Sequence, residues 1–488
     1  MRKVMLLLSA AAVAASSTVA AAQYARGLPA REVAKARQQH PEMLQEFGGA
    51  ETGARGAYVQ SVGRRVAVHS GVSPAAYQFT ALNSAVENAF ATPGGYIYIT
   101  RQLMALMDNE AELAFALGHE VGHVAANHAQ ARRSAATRNS VLGVLGAVLG
   151  SVFGGSGLGE LLSQGAQQAA VLRTLSFSRE QEYQADSLGT RYLVAAGYDP
   201  AGGPGILAAL GRASALQTRV QGRTNRQTPE WASTHPLSTN RTQRAIANAR
   251  ATGRLGTGAL NRDQFLAQLE GVYVDDDPEQ GVIEGRSFTH PDLRIQFAVP
   301  VGYLMQNGTR AVTIAGSAGK AQFSGGTYAG SIDQYIYRVL QELTGGQRQL
   351  MVPPPQRTMI NGLPAAYTTT RVQSSSGVVD VSVFAYQWDR DTIYHFVMLT
   401  RGGTGLGPFV PMVQSIRRIS PAEAAAIRPK VIDVVTVGPG DTVQSLASRM
   451  AYRDFRLERF LALNGLNAGS RLVPGQKLKL VVHGARRT

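Results

Sequence analysis

The 488-residue chain contains no cysteine. A disulfide framework is therefore excluded, as is lipid attachment through a cysteine, and the composition suits a periplasm as well as a cytosol. Long hydrophobic runs are missing too. Beyond the first 22 residues no stretch approaches 18 apolar residues free of glycine, so no later segment is expected to span a bilayer. No internal repeat is found, which removes the solenoid architectures. Acidic residues are in deficit, 33 against 48 Lys and Arg, for a formal charge of +15. The excess is dispersed instead of gathered in a block. That balance favours anionic surroundings such as envelope polymers or lipid headgroups and gives no reason to expect nucleic acid. Histidine is scarce, with nine residues, and the scarcity makes its spacing informative.

What is present divides the chain. Arg2 and Lys3, an apolar run from Val4 to Ala15 broken by Ser9, and Ala20-Ala21-Ala22 ahead of Gln23 read as a signal peptide, 1–22. An exported protein is expected, periplasmic, soluble or peripherally associated with the envelope. The length suits about three domains. Residues 23–260 are rich in Ala, Leu and Arg at helical spacing, with a strand-like island at Gly95–Thr100 after the turn signal Pro93-Gly94, which predicts a mainly α domain with a small β-sheet. Residues 261–284, around Asp275-Asp276-Asp277-Pro278, are turn-rich and read as a linker. From 285 to 419 the period changes: Leu293, Ile295, Phe297 and Val299 alternate, as do Val379, Val381 and Val383, while Ile332, Ile336, Val339, Leu340 and Leu343 fit one helix face. This predicts an α+β domain of unknown role. The apolar stretch 141–153 is too short and glycine-laden to cross a bilayer; it reads as a packed insertion, with a lid or a peripheral membrane contact as alternatives.

The most informative stretch is His119-Glu120-Val121-Gly122-His123. Asn109 is a candidate N-cap for its helix, with Glu112 closing a capping box. On a helix, residues four apart share a face, so His119 and His123 can offer two imidazole nitrogens to one zinc ion while Glu120 falls beside the open position. That is the layout of a zinc-dependent peptidase. A third ligand must come from elsewhere. His128 lies about 140° round the helix from His123 and reads as structural. Glu182, in Ser178–Asp186, shares a helix face with Asp186, a pattern that suits either a metal site or a solvated acidic face.

From about Ala81 to Arg241 the sequence resembles the M48 family of zinc metallopeptidases, whose branches include the periplasmic BepA-like enzymes and the related CAAX proteases. The resemblance rests on Asn88-Ala89-Phe90-Ala91-Thr92-Pro93-Gly94-Gly95, the zinc pentapeptide, the Ser178–Asp186 segment, and His235-Pro236 with Arg241. It implies a gluzincin-like fold, one zinc per chain held by His119, His123 and Glu182, Glu120 as general base, and Asp186 as proton donor or its close support. His235 and Arg241 become candidates for stabilising the transition state; His235 could instead fill the open zinc position, and both could be merely structural. The strand Tyr96–Ile99 offers an edge on which an extended substrate could pair.

Residues 431–482 resemble a LysM domain, a small βααβ unit, through Val435–Thr442, Leu446-Ala447, Leu463–Leu466 and Leu472–Leu478. Gly440-Asp441-Thr442 suits a strand-to-helix turn whose side chains cap the new helix. The resemblance implies binding of N-acetylglucosamine polymers such as peptidoglycan. Together the readings give a periplasmic zinc endopeptidase acting on misfolded or unassembled envelope proteins. The alternatives are a non-catalytic envelope adaptor or chaperone bound to peptidoglycan, and a peptidoglycan hydrolase.

Overall fold

The computed structural model describes residues 26–130, 177–221, 235, 239–343, 351–374 and 377–486. The expected signal peptide and the apolar stretch 141–153 lie outside them. Within the described residues the order is a helical region, a β-rich region and a small C-terminal module. No described helix is long and apolar enough to cross a membrane.

The helical region runs α1 (Ala30–Glu46), α2 (Gly53–Ala67), β1 (Gln78–Leu82), β2 (Ala89–Ala91), β3 (Tyr96–Thr100), α3 (Arg101–Leu106), α4 (Glu110–Ala125), α5 (Arg179–Ala195), α6 (Gly202–Gln221), α7 (Thr239–Ala251) and α8 (Arg262–Leu269). Helix α4 is the hub. Asn109 caps it by accepting from the Glu112 amide at 3.1 Å. Glu112 reaches back to the Asp108 amide at 2.9 Å, one residue beyond the reciprocal partner of a capping box. Every residue from Glu110 to Val124 is buried, so α4 is a central helix and its apolar face is wider than the single stripe a surface helix needs. Helix α5 starts with the expected reciprocal cap between Ser178 and Gln181.

The three-stranded sheet has the order β1-β3-β2. Strand β3 is its centre, parallel to β1 and antiparallel to β2, which corrects the expectation that Tyr96–Ile99 is an edge. The reason lies in its residues: Tyr96 to Thr100 are all buried, and a strand buried on both faces sits between neighbours. The edge beside α4 is β2.

Residues 261–284, read as a linker, are folded into the body. Phe265, Leu266 and Leu269 of α8 are buried in the same core as α4, and β4 (Tyr273–Val274) pairs with strand Lys430–Thr436 of the C-terminal module. Arg101, buried, donates to the carbonyls of Tyr273 and Asp275, each at 2.7 Å.

In the middle region a seven-stranded antiparallel sheet carries two cores. Phe384 and Tyr386 of strand Gly377–Gln387 face the four-stranded sheet and Phe297, while Val381, Val383 and Ala385 face helix Ile332–Leu343, as period-2 alternation requires. The C-terminal module is strand Lys430–Thr436, helices Val443–Ser448 and Arg456–Asn464, then strand Lys477–His483. Its apolar residues Ile432, Leu446, Phe460 and Leu480 belong to the core that contains α4. Lys479, fully buried, donates to the carbonyls of Ala105 at 3.0 Å and Met107 at 2.6 Å and sits 3.2 Å from an Asp108 oxygen.

Candidate metal centre

Helices α4 and α5 touch backbone to backbone. A Cβ on Gly189 would lie 3.1 Å from the His119 nitrogen, and one on Gly122 would lie 3.3 Å from the Ala185 carbonyl oxygen. A Cβ at either position would be crowded, and the close approach that glycine permits brings Glu182 and Asp186 within reach of the two histidines.

His119 Nε2 and His123 Nε2 lie 3.0 Å apart. Glu182 closes the triangle, with Oε2 3.6 Å from His119 Nε2 and Oε1 3.4 Å from His123 Nε2. His235 Nδ1 lies 3.0 Å from Glu182 Oε1 and 3.4 Å from His119 Nε2. All four side chains are buried, and one donor atom from each falls within 4.8 Å of every other. A tetrahedral ion with bonds of about 2.0–2.1 Å has ligand–ligand edges of about 3.3–3.4 Å. The separations fit that figure. The cluster therefore sets three imidazoles and a carboxylate at spacings that suit one bound cation.

The supporting contacts differ from ligand to ligand. His119 Nδ1 lies 2.9 Å from Asp186 Oδ1. Arg241 grips Asp186 through Nε at 2.8 Å and Nη2 at 2.9 Å, and its Nη1 lies 2.8 Å from Glu182 Oε2. Burial opposes ionisation of Asp186, but the guanidinium and His119 prevail and hold its carboxyl below the usual range. Both Asp186 oxygens are engaged, one beside His119 and Arg241 and the other by Arg241. Arg241 is likewise turned to the two carboxylates. Burial also opposes charge on Glu182, yet His235, His123 and His119 keep it well below the ordinary carboxylate value. Burial drives His123 well below the ordinary imidazole value.

Glu120 is buried, with Oε1 3.5 Å from His235 Nε2 and Oε2 without a hydrogen-bond partner among the described residues. Desolvation raises its pKa, against the pull of His235 and His119. His235 feels burial lowering its pKa, but Glu182 and Glu120 outweigh it and the net shift is upward.

Phe177 and Gln184 escaped the sequence reading, and His128, read as structural, meets His123. Phe177 stacks on His123, with ring centroids 3.8 Å apart and planes at 19°. His128 Nδ1 faces His123 Nδ1 at 2.9 Å, and Gln184 Oε1 faces His128 Nε2 at 3.0 Å. The helical wheel misplaced His128 because α4 ends at Ala125 and Asn127 adopts φ 56°. That left-handed residue, which asparagine tolerates, turns the chain back toward the metal ligands. Burial pushes the His128 imidazole down.

Two cavities flank the cluster. A small one of about 50 Å³ is lined by Asn88, Ala89, Phe115, Glu120, Leu207 and Leu210. The other, about 420 Å³, is lined by Arg26, Arg31, Ala91, Pro93, His123 and Phe177. Edge strand β2 runs from the first to the second.

Residues 54–249 match peptidase family M48, and residues 435–481 match the LysM domain. The beta-barrel assembly-enhancing protease of Escherichia coli O157:H7 is 32% identical over 201 residues, 40% of this chain and 38% of that protein. Its Yersinia pestis counterpart is 31% identical over 229 residues, 45% and 44% of the two chains. The mitochondrial metalloendopeptidase OMA1 of Arabidopsis thaliana is 32% identical over 136 residues, 28% of this chain and 26% of that one. The chain spans about two fifths of the length of the beta-barrel assembly-enhancing proteases it matches.

Proposed function

From the premise that the chain carries a peptidase family M48 domain and a LysM domain, we propose that it is a periplasmic zinc-dependent endopeptidase for misfolded or unassembled envelope proteins, held near peptidoglycan by its C-terminal module. The observation that carries this reading is the convergence of His119, His123 and Glu182 beside the one free oxygen of buried Glu120. Bound zinc would supply Lewis-acid polarisation of the scissile carbonyl and acidify a water. The chain's own residues do the rest. Glu120 Oε2 has no competing partner and a pKa raised by burial, so it is suited to take the proton of the attacking water and hand it to the departing amine. Asp186, fixed by Arg241, places its negative charge 2.9 Å from His119 Nδ1, which favours hydrogen on that nitrogen and so the tautomer that presents Nε2. His235 is the fourth donor of the cluster. Were His119, His123 and Glu182 to hold zinc with a water in the fourth position, His235 would either yield that place or stand beside it to stabilise the transition state.

An extended polypeptide pairs antiparallel or parallel with the backbone of β2, its side chains entering the two flanking cavities. Glu120 lines the smaller cavity, so the departing amine lies on that side and the acyl half lies toward His123. The name of the relatives, beta-barrel assembly-enhancing protease, supports an envelope protein as substrate. In the LysM module Pro439, Gly440, Asn467, Ala468 and Gly469 are exposed, leaving two loops open to a glycan.

The test incubates purified zinc-loaded protein with casein and with muropeptides beside Glu120→Gln. Casein cleavage falling roughly 10²–10⁴-fold in the variant, with zinc retained, is the expected result. Cleavage of muropeptides alone would establish a wall hydrolase. A zinc-bound protein that cleaves neither would be an adaptor.

A further inference from the structure

On the metallopeptidase reading, we infer that His128 and Gln184 form a proton-ordered relay that fixes the tautomer of metal ligand His123. The argument is one of donors and acceptors. Two imidazole Nδ1 atoms facing each other at 2.9 Å can bond only if one carries the hydrogen and the other does not. Two chains of hydrogens satisfy the three residues. In the first, Gln184 donates its amide N–H to His128 Nε2, His128 Nδ1–H donates to His123 Nδ1, and His123 must carry its hydrogen on Nε2. That hydrogen would point at His119 Nε2, 3.0 Å away, and at Glu182 Oε1, 3.4 Å away, where the lone pair for a metal is required. In the second, His123 Nδ1–H donates to His128 Nδ1, and His128 Nε2–H donates to Gln184 Oε1 at 3.0 Å. Only the second leaves His123 Nε2 bare.

The scaffold holds this order in place. Asn127, with φ 56°, turns the chain so that His128 meets His123, and Gln181 Nε2 donates to the His128 carbonyl at 3.2 Å. Gln184 is exposed, so its amide can rotate to present oxygen. The two histidine ligands are therefore braced by different chemistry: His119 by a carboxylate that an arginine clamps, His123 by a neutral imidazole. His128 is a positioning residue that acts through His123 and touches neither substrate nor metal.

The full-length protein is stripped of metal and titrated with zinc against a competing chelator, in the wild type and in His128→Leu, His128→Asn and Gln184→Leu. Leucine removes the acceptor, so His128→Leu is expected to weaken zinc binding roughly 10–100-fold. Asparagine places an oxygen near the lost Nδ1, and His128→Asn is expected to stay within a few-fold of wild type, a rescue that packing alone would not produce. Gln184→Leu should fall between them. Imidazole ¹⁵N shifts of the zinc-bound wild type should report hydrogen on His123 Nδ1 and on His128 Nε2. Wild-type zinc affinity in His128→Leu, or hydrogen on His128 Nδ1, overturns the relay while leaving the metallopeptidase reading intact. A wild type that takes up no zinc sinks that reading and the relay with it. Should His128→Leu fail to fold, the ¹⁵N shifts of the wild type decide alone.

Discussion

His395 and His290 tie the middle region to pH. Burial pulls each imidazole down to about 4. His395 sits among Tyr335, whose hydroxyl is 2.9 Å from Nδ1, and Ser324, 3.4 Å from Nε2, with Arg338 the charge that acts on it. Between pH 4 and 6.5 the unfolded chain binds more protons at these sites than the folded one, so stability falls as pH drops through that window. The loss is roughly 3 kcal/mol at most for one such histidine. Urea midpoints followed by the fluorescence of Trp388, which packs in this region, should drop between pH 7 and pH 5. Replacing both histidines with glutamine should flatten the dependence; an unchanged wild-type midpoint would refute it. At the catalytic centre the sequence spoke most clearly where chemistry demands a rigid period. The candidate pair His119 and His123 follows from residues four apart and a metal's appetite for nitrogen, whereas Glu182, which spacing left open between a metal site and a solvated acidic face, was singled out by the family resemblance. The place of His128 did not follow, because it depends on one dihedral at Asn127 that no periodicity encodes. Nor did the division of labour between Asp186 and Arg241, which exists only once α5 and α7 meet.

Among elements, the seam between α4 and α5 is tightest at Gly122 and Gly189. Gly189→Val is expected to lower stability by about 1–3 kcal/mol, since the added branches would drive into the backbone at His119. The same shift would draw Glu182 away from the histidines, so zinc affinity should fall with melting temperature. A valine variant with wild-type zinc affinity would show that the seam does not place the ligand. Helix positions and the alternating strands of the middle region were legible because burial imposes periods of 3.6 and 2. The order of β1, β2 and β3 was not. Pairing partners are chosen by tertiary closure, and the five buried residues of β3 look the same from sequence whether the strand is central or at the margin. The supposed linker misled for a related reason: Asp275, Asp276 and Asp277 look solvated in sequence. In the fold Lys430, the Ile283 amide and Asn83 respectively meet them at 2.9, 2.8 and 2.6 Å.

For the whole molecule, the decisive feature is the shared interior of the M48 and LysM domains. Removing residues 430–486 should yield a destabilised, aggregation-prone remnant and not an independent peptidase, because Phe265, Leu266 and Ile432 lie in one continuous core. Lys479→Met tests the joint more gently. It leaves the Ala105 and Met107 carbonyls without their donor and removes one of the two cations beside Asp108, the other being Arg212, for an expected loss of about 3 kcal/mol. A separate melting transition for the LysM module in the intact protein would contradict a common core. The joint also governs reach. A module on a slack leash lets an enzyme sweep a sphere whose radius grows with the leash, and the local concentration of targets follows from its length. Here the leash has no slack: a glycan strand seized by the loops around Gly440 and Asn467 would hold the cleft at one standoff and one heading, so that geometry decides which passing chains are cut.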